Sequence, residues 1–576
     1  MATKAGHAAA AEDRVPWQQL IAFGLGGLIP IALFNVVLQL VPLLGNISLG
    51  IGAVWLGAIL VLPRLWEAFS DPVVGHLSDH ARTRWGRRRP FILLGGLAAA
   101  LGFVAIWWVP RADFLRHYVA GGAAVTALQL AFLLGTLLLF FTACAVFEIP
   151  HGALGLEMST DTHERTRLFS AKSFLGNLFA MGTPWLIFLA SLELFGGPGG
   201  NLVDGMRQVS LLVAAVLAPL AVWWFFALRE PACAPARERR KSSLRADFRA
   251  TIGNRTFLLL TAIVFTLSMG FNFVASFANY ITIFYLYGGD VRAASPLLGI
   301  AGTVWAVTAL VAVFPLNWLG RRLGKRDTLL VAIGLMCAAQ LAKILCYHPG
   351  PVTFELGGRA LTVQGPYLIL IPTMLLSAGM LMFFTLGSSM VGDVCDEDEL
   401  RTGTRSEGTY YAVFWWFIKT GTAFASLVMG ALLLYTGFDE RQNALVDALG
   451  GDLAGQPVPA ASFLAHAAEL RSHLESRLAN DPARAGRTRA LLEHLAAVER
   501  LAGETPQAAP GELLRHAAFL RRQSTATLFR LRLVEIGLPL VLSLVSLLLV
   551  LRYPLTEQRC REIERLLRQR RGAPAA

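Results

Sequence analysis

Long apolar segments recur along the chain and are separated by short polar ones. Each is about 20 residues or longer, which is enough for a helix to cross a hydrocarbon core of about 30 Å. The apolar residues run continuously and do not alternate, which favours helices over the strands of a barrel. Twelve spans are predicted near residues 17–44, 48–75, 90–110, 122–147, 168–192, 206–228, 257–287, 294–319, 327–347, 365–390, 407–436 and 527–553. The pattern therefore predicts an all-α membrane protein with twelve transmembrane helices.

A basic segment with helix-breaking residues, PACAPARERRKSS, divides the spans into two groups of six. It lies in a predicted linker, 229–256, between an amino-terminal half, 17–228, and a carboxy-terminal half, 257–553. The loop after the second span, GHLSDHARTRWGRRRP, has a counterpart after the eighth, LNWLGRRLGKRD. This pattern predicts two repeated six-helix halves, although ordinary basic loops would look similar.

The polar segment 438–525, between spans eleven and twelve, is far longer than the other connections. It has ten arginines against eleven acids, and counting the crossings places it outside, in the periplasm of a Gram-negative cell. Leu470 and Leu474, and later Leu491 and Leu495, repeat at helical spacing and predict an insert of two or three helices. Three roles are open for it: a structural lid, a docking surface for a partner, or substrate capture.

Composition and charge agree with a membrane protein. The 576 residues are 55% hydrophobic and 16% charged, with a mean hydropathy of +0.53. The net charge of +12 comes from short segments between spans, and the part of the chain from Arg552 onward has seven arginines against three acids. Such basic segments face the cytoplasm, so the tails 1–16 and 554–576 are both predicted to be cytoplasmic and nucleic-acid binding is not expected. The six cysteines lie in spans or cytoplasmic segments, which argues against disulfides.

The second predicted span carries two carboxylates, Glu67 and Asp71, with Arg64 one turn earlier. Residues at this spacing share one face of a helix, and a charge at the membrane centre costs about 2.5 kcal/mol or more. A bound Na⁺ or shared protons would let the two carboxylates lie this close. The alternative is that Arg64 neutralises one carboxylate, and that Asp71 with Pro72 ends the helix near the surface.

Three motifs carry a family resemblance. They are RLWEAFSDPVVGHLSDHARTRWGRRRP, FEIPHGALGLEMSTDTHERTRLFSAKSF and GDVCDEDELRTGTRSEGTYYAVFWWFIKTGTAFA, and they span nearly the whole chain except the insert. In this order they resemble the signatures of the glycoside-pentoside-hexuronide:cation symporters, the melibiose-permease-like branch of the major facilitator superfamily. The resemblance implies the major facilitator fold and symport of a sugar-like solute with Na⁺ or H⁺ across the inner membrane by alternating access.

The resemblance also assigns roles to residues. By position, it places the cation ligands at Glu67 and Asp71 and substrate-binding residues at Glu148, Lys172 and Lys419. We add Trp415 to the predicted substrate site and Arg64 as the charge partner of the cation site. Two departures make the pocket more apolar, because Gly27 stands where sugar-binding members carry an aspartate and Phe414 and Trp415 stand at polar positions. Lys172 also lies close enough to a helix end for its ammonium group to reach the membrane surface instead.

The arginine-rich loop after the second span has two interpretations. It fixes the topology, and it can also latch the cytoplasmic side through ion pairs with acids at the inner ends of the other half. The residues of this predicted gate are Asp79, Arg84, Arg87, Arg88, Asp393 and Asp396.

Several other classes of function are not favoured. The sequence has no metal-ligand cluster, nucleotide-binding loop or GxSxG elbow, so neither an enzyme nor an ATP-driven pump is expected. The expected partners are the solute and the bilayer, with no cofactor beyond the coupling ion, a monomeric chain, and a periplasmic partner if the insert docks one. Two alternatives stay open: a cation-coupled transporter of an amphipathic solute such as a lysophospholipid, since relatives handling such lipids belong to the same branch, and a non-transporting receptor or scaffold that acts through the insert.

Overall fold

The computed structural model describes residues 15–81, 83–119, 121–158, 162–197, 202–230, 253–356, 359–402, 407–454, 461–480, 485–504 and 510–570. Helices dominate these ranges: α1 (Trp17–Leu25), α2 (Phe34–Ile47), α3 (Ala53–His80), α4 (Arg89–Trp107), α5 (Ala112–Arg116), α6 (Gly122–Glu157), α7 (Thr162–Ala180), α8 (Thr183–Ser191), α9 (Glu193–Gly196), α10 (Leu202–Ala227), α11 (Arg255–Tyr280), α12 (Val291–Cys346), α13 (Leu370–Thr402), α14 (Glu407–Thr436), α15 (Glu440–Ala454), α16 (Ala461–Asn480), α17 (Ala485–Glu504), α18 (Pro510–Arg521), α19 (Thr525–Leu551) and α20 (Glu557–Arg570).

Within these described ranges, eleven helical segments are long and apolar enough to cross a membrane. They match eleven of the twelve predicted spans, and α12 supplies two of them, Val291–Gly320 and Arg322–Cys346. The remaining predicted span, 48–75, lies in α3, a helix of 28 residues that contains Arg64, Glu67 and Asp71. The prediction of a helical membrane protein is thus confirmed. The predicted span that is not among the eleven is the one that carries the charged face.

Backbone packing divides the chain into two units. The first unit contains Met1–Ala236, Asp290–Gly299 and Asp439–Arg522, and the second contains Arg237–Gly289, Ile300–Phe438 and Gln523–Ala576. The insert therefore packs with the amino-terminal spans, although the chain enters and leaves it from spans of the carboxy-terminal half. The amphipathic tail helix α20 packs on α13 and buries Ile563 and Leu567 in the core of the second unit.

The two loops that the sequence pairs as counterparts have the same local form. In the first unit Gly86 has a φ of +100°, and Arg89 Nε donates to the carbonyl of Phe225 at the end of α10, at 2.7 Å. In the second unit Gly324 has a φ of +79°, and Arg326 Nη2 donates to the carbonyl of Leu551 at the end of α19, at 2.6 Å. Each unit thus uses an arginine after a left-handed glycine to satisfy the free carbonyls of its last span.

Three local features differ from the sequence prediction. Strands β1 (Pro351–Leu356) and β2 (Arg359–Gln364) form an antiparallel hairpin where no strand was predicted. The predicted span 168–192 is broken between α7 and α8, and the first span changes from α-helix to a 3₁₀ turn at Gly26–Leu28 and a π-helical turn at Ile29–Leu33.

In its described residues the insert contains four helices, α15 to α18, where two or three were predicted. The predicted leucines Leu470, Leu474, Leu491 and Leu495 are all buried in its own apolar core. The additional helix is α15, in which Leu445 and Leu449 repeat at the same spacing and are buried in this core, so the sequence pattern could have predicted it.

Candidate functional site

The charged face of α3 lies in the first unit. Arg64 Nη1 donates to Glu67 Oε2 at 3.0 Å, and these two side chains are only 10% and 9% exposed. The guanidinium also lies 4.3 Å from the ring centroid of Phe34 and 5.6 Å from that of Phe141, so cation–π attraction adds to the ion pair. Arg64 is therefore held by one carboxylate and two aromatic faces.

Asp71 lies one turn beyond Glu67 and is partly buried. The helix does not end there, because α3 continues past Pro72 to His80. This contradicts the alternative that Asp71 and Pro72 close the helix at the surface. On this face of α3, one cationic side chain and two carboxylates lie within two turns of each other.

The second charged pair joins α6 and α7. Lys172 Nζ donates to Glu148 Oε1 at 2.6 Å, and the lysine side chain is 9% exposed. The ammonium group is thus paired inside the unit, which contradicts the alternative that it reaches the membrane surface. The other carboxylate oxygen, Glu148 Oε2, is buried and has no hydrogen-bond partner among the described residues. It remains able to accept a hydrogen bond from a bound molecule.

Gly27 lies where the irregular part of the first span meets α7. A Cβ atom at this position would lie 2.3 Å from the carbonyl oxygen of Lys172, a backbone atom that no side-chain rotation can move. The absence of an aspartate here therefore has a steric cause: the first span approaches the backbone of the lysine that holds Glu148.

Gly27→Ala is expected to lower the stability of the purified protein by about 1–3 kcal/mol, because it forces overpacking against backbone. Gly152→Ala in α6 is the matched control, since a Cβ atom there meets nothing within 4 Å, and replacing glycine in an open helix position favours the helix. Thermal unfolding in detergent measures both changes. Equal unfolding temperatures for the two variants would show that the close approach does not exist.

Lys419, Phe414 and Trp415, which the sequence assigns to the solute pocket, lie in the second unit. Lys419 is exposed on α14. Phe414 is 1% exposed and belongs to the apolar core of that unit. The prediction that Phe414 makes the solute pocket more apolar is therefore wrong, because its ring is occupied by packing. The side chains of Trp415 and of the predicted gate residue Asp79 lie outside the described part of the chain.

The predicted gate residues have partners within their own units. In the first unit, the backbone amides of Arg87 and Arg88 donate to the Glu230 carboxylate at 2.9 Å and 3.0 Å. Arg88 Nη1 also donates to Ser78 Oγ at 2.9 Å. Arg84 lies over the ring of Trp85 at 4.3 Å.

In the second unit, Lys325 Nζ lies 2.6 Å from Asp393 Oδ1, and Asp396 is partly buried nearby on α13. The latch between the halves stays a prediction. The sequence analysis missed Glu230 and Lys325, although both lie at the ends of predicted spans where such partners are expected.

A buried charge cluster in the second unit was also missed. Lys343 forms an ion pair with Glu535 Oε1, with side-chain exposures of 5% and 0%. The hydroxyl of Tyr347 donates to Glu535 Oε2 at 3.0 Å. Both charged residues lie inside predicted spans, so the rule that intramembrane charges are costly would have found them.

His151 is a further residue that sequence reasoning passed over. Its ring is fully buried and stacks between Phe23, at 4.4 Å, and Phe147, at 5.2 Å. A Cβ atom on Gly26 would lie 2.2 Å from its Nε2. His151 lies on α6, one turn after Glu148. Its imidazole therefore fixes the spacing between the first span and α6.

Two relatives and one solved structure resemble the chain over most of its length. An uncharacterized symporter of Synechocystis sp. is 25% identical over 78% of this chain and 89% of its own. The isoprimeverose transporter of Lactiplantibacillus pentosus is 24% identical over 74% of this chain and 82% of its own. A bacterial homologue of the human lysosomal transporter Spinster, in an inward-facing and occupied conformation, aligns with a TM-score of 0.53 at 14% identity, over 94% of this chain and 97% of that one. At that identity, the structural likeness shows the fold alone.

The family itself is shown by a profile match that covers well over half of the 576 residues. The profile, described as MFS/sugar transport protein, matches residues 23–455. Together with helices that can span a membrane and relatives that are symporters and sugar transporters, this match establishes the class of protein. The chain belongs to the major facilitator family of sugar:cation symporters, with the major facilitator fold, and is a multi-pass membrane secondary transporter of that type.

Proposed function

We propose that the protein couples a cation, Na⁺ or H⁺, to the transport of a glycoside or similar sugar-like solute across the inner membrane by alternating access. The observation that carries this proposal is that the first unit contains two separate pairs of oppositely charged side chains. Arg64 is held by Glu67 at 3.0 Å and Lys172 by Glu148 at 2.6 Å. The carboxylates at Glu67 and Asp71 supply a cation position, and the pair Glu148 and Lys172 supplies a polar solute position.

Coupling follows from the closeness of two carboxylates on α3. Like charges one turn apart oppose each other's ionisation, so a bound monovalent cation or a proton would lower the cost of this face inside the membrane. Binding the cation would then change the electrostatic environment of the nearby solute position. A solute that binds better to the neutralised form moves together with the cation, because each ligand raises the affinity for the other.

The solute side of the proposal rests on the polar atoms. Glu148 Oε2 is a buried acceptor without a partner in the described structure, and a buried acceptor is best satisfied by a hydroxyl donor from a ligand. One relative is named an isoprimeverose transporter, which supports a sugar-like solute. The alternative of an amphipathic solute loses one of its arguments, since Phe414 is packed in the core, and the match to sugar transporters does not favour a receptor or scaffold.

The proposal is tested by screening purified protein against sugars, glycosides and lysolipids, with and without Na⁺ and at two pH values. A ligand at 100 times its Kd should raise the apparent unfolding free energy by about 2.7 kcal/mol. We expect a sugar or glycoside to give the shift, and the cation to enlarge it. A shift with a lysolipid alone would contradict the solute class.

Lys419→Ala is expected to abolish the solute-dependent shift, because the variant lacks the cationic donor that the family resemblance assigns to the solute. Arg561→Ala in the tail helix is the control, since it removes one positive charge from a side chain that is 72% exposed. Isothermal titration of both variants with the solute measures the effect. Wild-type affinity in Lys419→Ala would remove Lys419 from the solute site.

A further inference from the structure

The insert is a compact body with its two chain ends held together. Its core is formed by all four helices. Near the entry, Asp439 accepts hydrogen bonds from the backbone amide of Gln442 at 3.0 Å and from the ring of His473 at 3.0 Å. Gln442 Nε2 in turn donates to the carbonyl of Leu520 near the exit, at 2.6 Å. The insert thus has one core, and its entry and exit are joined by hydrogen bonds.

Within the first unit, this body contacts the amino-terminal spans at the beginning of the charged helix α3. The backbone amide of Ala53, the first residue of α3, donates to Glu440 Oε1 of the insert at 3.0 Å. The N-cap residue Gly52 offers no side chain, so the insert supplies the acceptor that the helix itself lacks. The packing is close, because a Cβ atom on Gly50 would lie 3.1 Å from the Cβ of Ala444.

A second contact joins the insert to the connection between the third and fourth spans. Arg116 donates two hydrogen bonds to Glu469, at 2.9 Å and 3.0 Å, and Arg441 adds a third at 2.8 Å. Burial opposes the ionisation of Glu469, but the hydrogen bonds from Arg116 and Arg441 outweigh it and hold its pKa below the usual value. The ion pair is therefore present at neutral pH, with a bidentate geometry that favours strength.

The chain enters the insert from α14 and leaves it into α19, both in the second unit. The insert is consequently joined by the chain to α14 and α19 and packed non-covalently on the amino-terminal spans. We propose that it is a releasable clamp: docked on these spans through Glu440 and Glu469, it is released and docks again during the transport cycle. This inference rests on the alternating-access part of the proposed function.

The clamp also acts on the helix that carries the proposed cation ligands. Release of the insert requires the bonds from Ala53 and Arg116 to break. Because the bond from Ala53 belongs to α3, any change in the position of α3 on cation binding alters the docking of the insert, and the reverse holds by linkage. Docking of the insert and cation binding on α3 would then be coupled.

The test measures the distance between spin labels on Tyr118→Cys and Ser472→Cys, in a chain whose native cysteines are replaced. Tyr118 is 74% exposed near Arg116, and Ser472 is exposed on α16. We expect one dominant docked distance in the parent. In Glu440→Ala combined with Arg116→Ala, a longer distance should gain about fivefold in population, given the usual strength of a surface ion pair and a helix cap.

Two controls distinguish loss of the docking contacts from a general loosening of the insert. Glu440→Gln keeps an acceptor oxygen and should stay docked. Arg471→Ala breaks an ion pair with Glu499 inside the insert and should also leave the docked distance unchanged. If the double variant has the same distances as Arg471→Ala, these contacts do not hold the insert and the inference is wrong. The measurement needs neither solute nor cation, so the clamp can stand even if the coupling proposal fails.

Discussion

Asp71→Asn is expected to abolish uphill solute uptake while solute exchange at equal concentrations survives. With one-to-one coupling, a tenfold cation gradient supports at most about tenfold accumulation of a neutral solute, since each factor of ten is worth about 1.4 kcal/mol. The variant should reach a ratio of about one. Asparagine fills the same space but supplies no negative charge, so the cation loses a ligand while the pair of Arg64 and Glu67 stays in place.

Proteoliposomes with an imposed Na⁺ or pH gradient measure this effect. Glu193→Gln is the control, because Glu193 is 71% exposed in an ion pair with Arg292 outside the charged face of α3. Its uptake should equal that of the wild type. Full accumulation in Asp71→Asn would show that the cation binds elsewhere. Glu67→Gln is a poorer probe, because it leaves the nearly buried guanidinium of Arg64 without its carboxylate partner.

Lys343→Met is expected to destabilise the second unit by about 3–5 kcal/mol, because it leaves Glu535 as an uncompensated buried charge. Glu535 is 0% exposed, and its second oxygen accepts a hydrogen bond from the neutral hydroxyl of Tyr347. The double variant Lys343→Met with Glu535→Gln should recover most of the loss, since the glutamine is neutral and still accepts the hydrogen bond.

Denaturant titration in detergent measures the free energies of unfolding of the wild type, Lys343→Met and the double variant. Lys325→Met is the matched control: it breaks another lysine–carboxylate pair, but Lys325 is 38% and Asp393 17% exposed, so the loss should stay below about 1 kcal/mol. If the double variant were as unstable as Lys343→Met, the loss would come from packing and not from the unpaired charge.

The features that sequence could predict depend on local pattern. The spans, the charged face of α3 and the leucine-lined helices of the insert follow from spacing along the chain. The strand pair at 351–364 was within reach as well, because alternating residues flank a Gly-Gly pair in the sequence. Lys343 and Glu535 could have been found as charges inside spans.

The remaining features depend on which backbones approach each other. Gly27 looks like the loss of a solute anchor in the sequence, and only the structure shows that the carbonyl of Lys172 leaves no room for a side chain. Phe414 lies at a predicted pocket position but packs in the core. The docking of Glu440 on Ala53 joins residues 387 positions apart, and no spacing rule relates them.

The most direct test of cation-coupled transport is the mutual dependence of the two binding affinities in the wild-type protein. Isothermal titration would give the Kd of the solute with and without saturating Na⁺, and across pH, and then the Kd of the cation with and without solute. The proposed coupling predicts that each ligand tightens the other by the same factor, typically about 5- to 150-fold. A solute affinity that is independent of both Na⁺ and pH would contradict it.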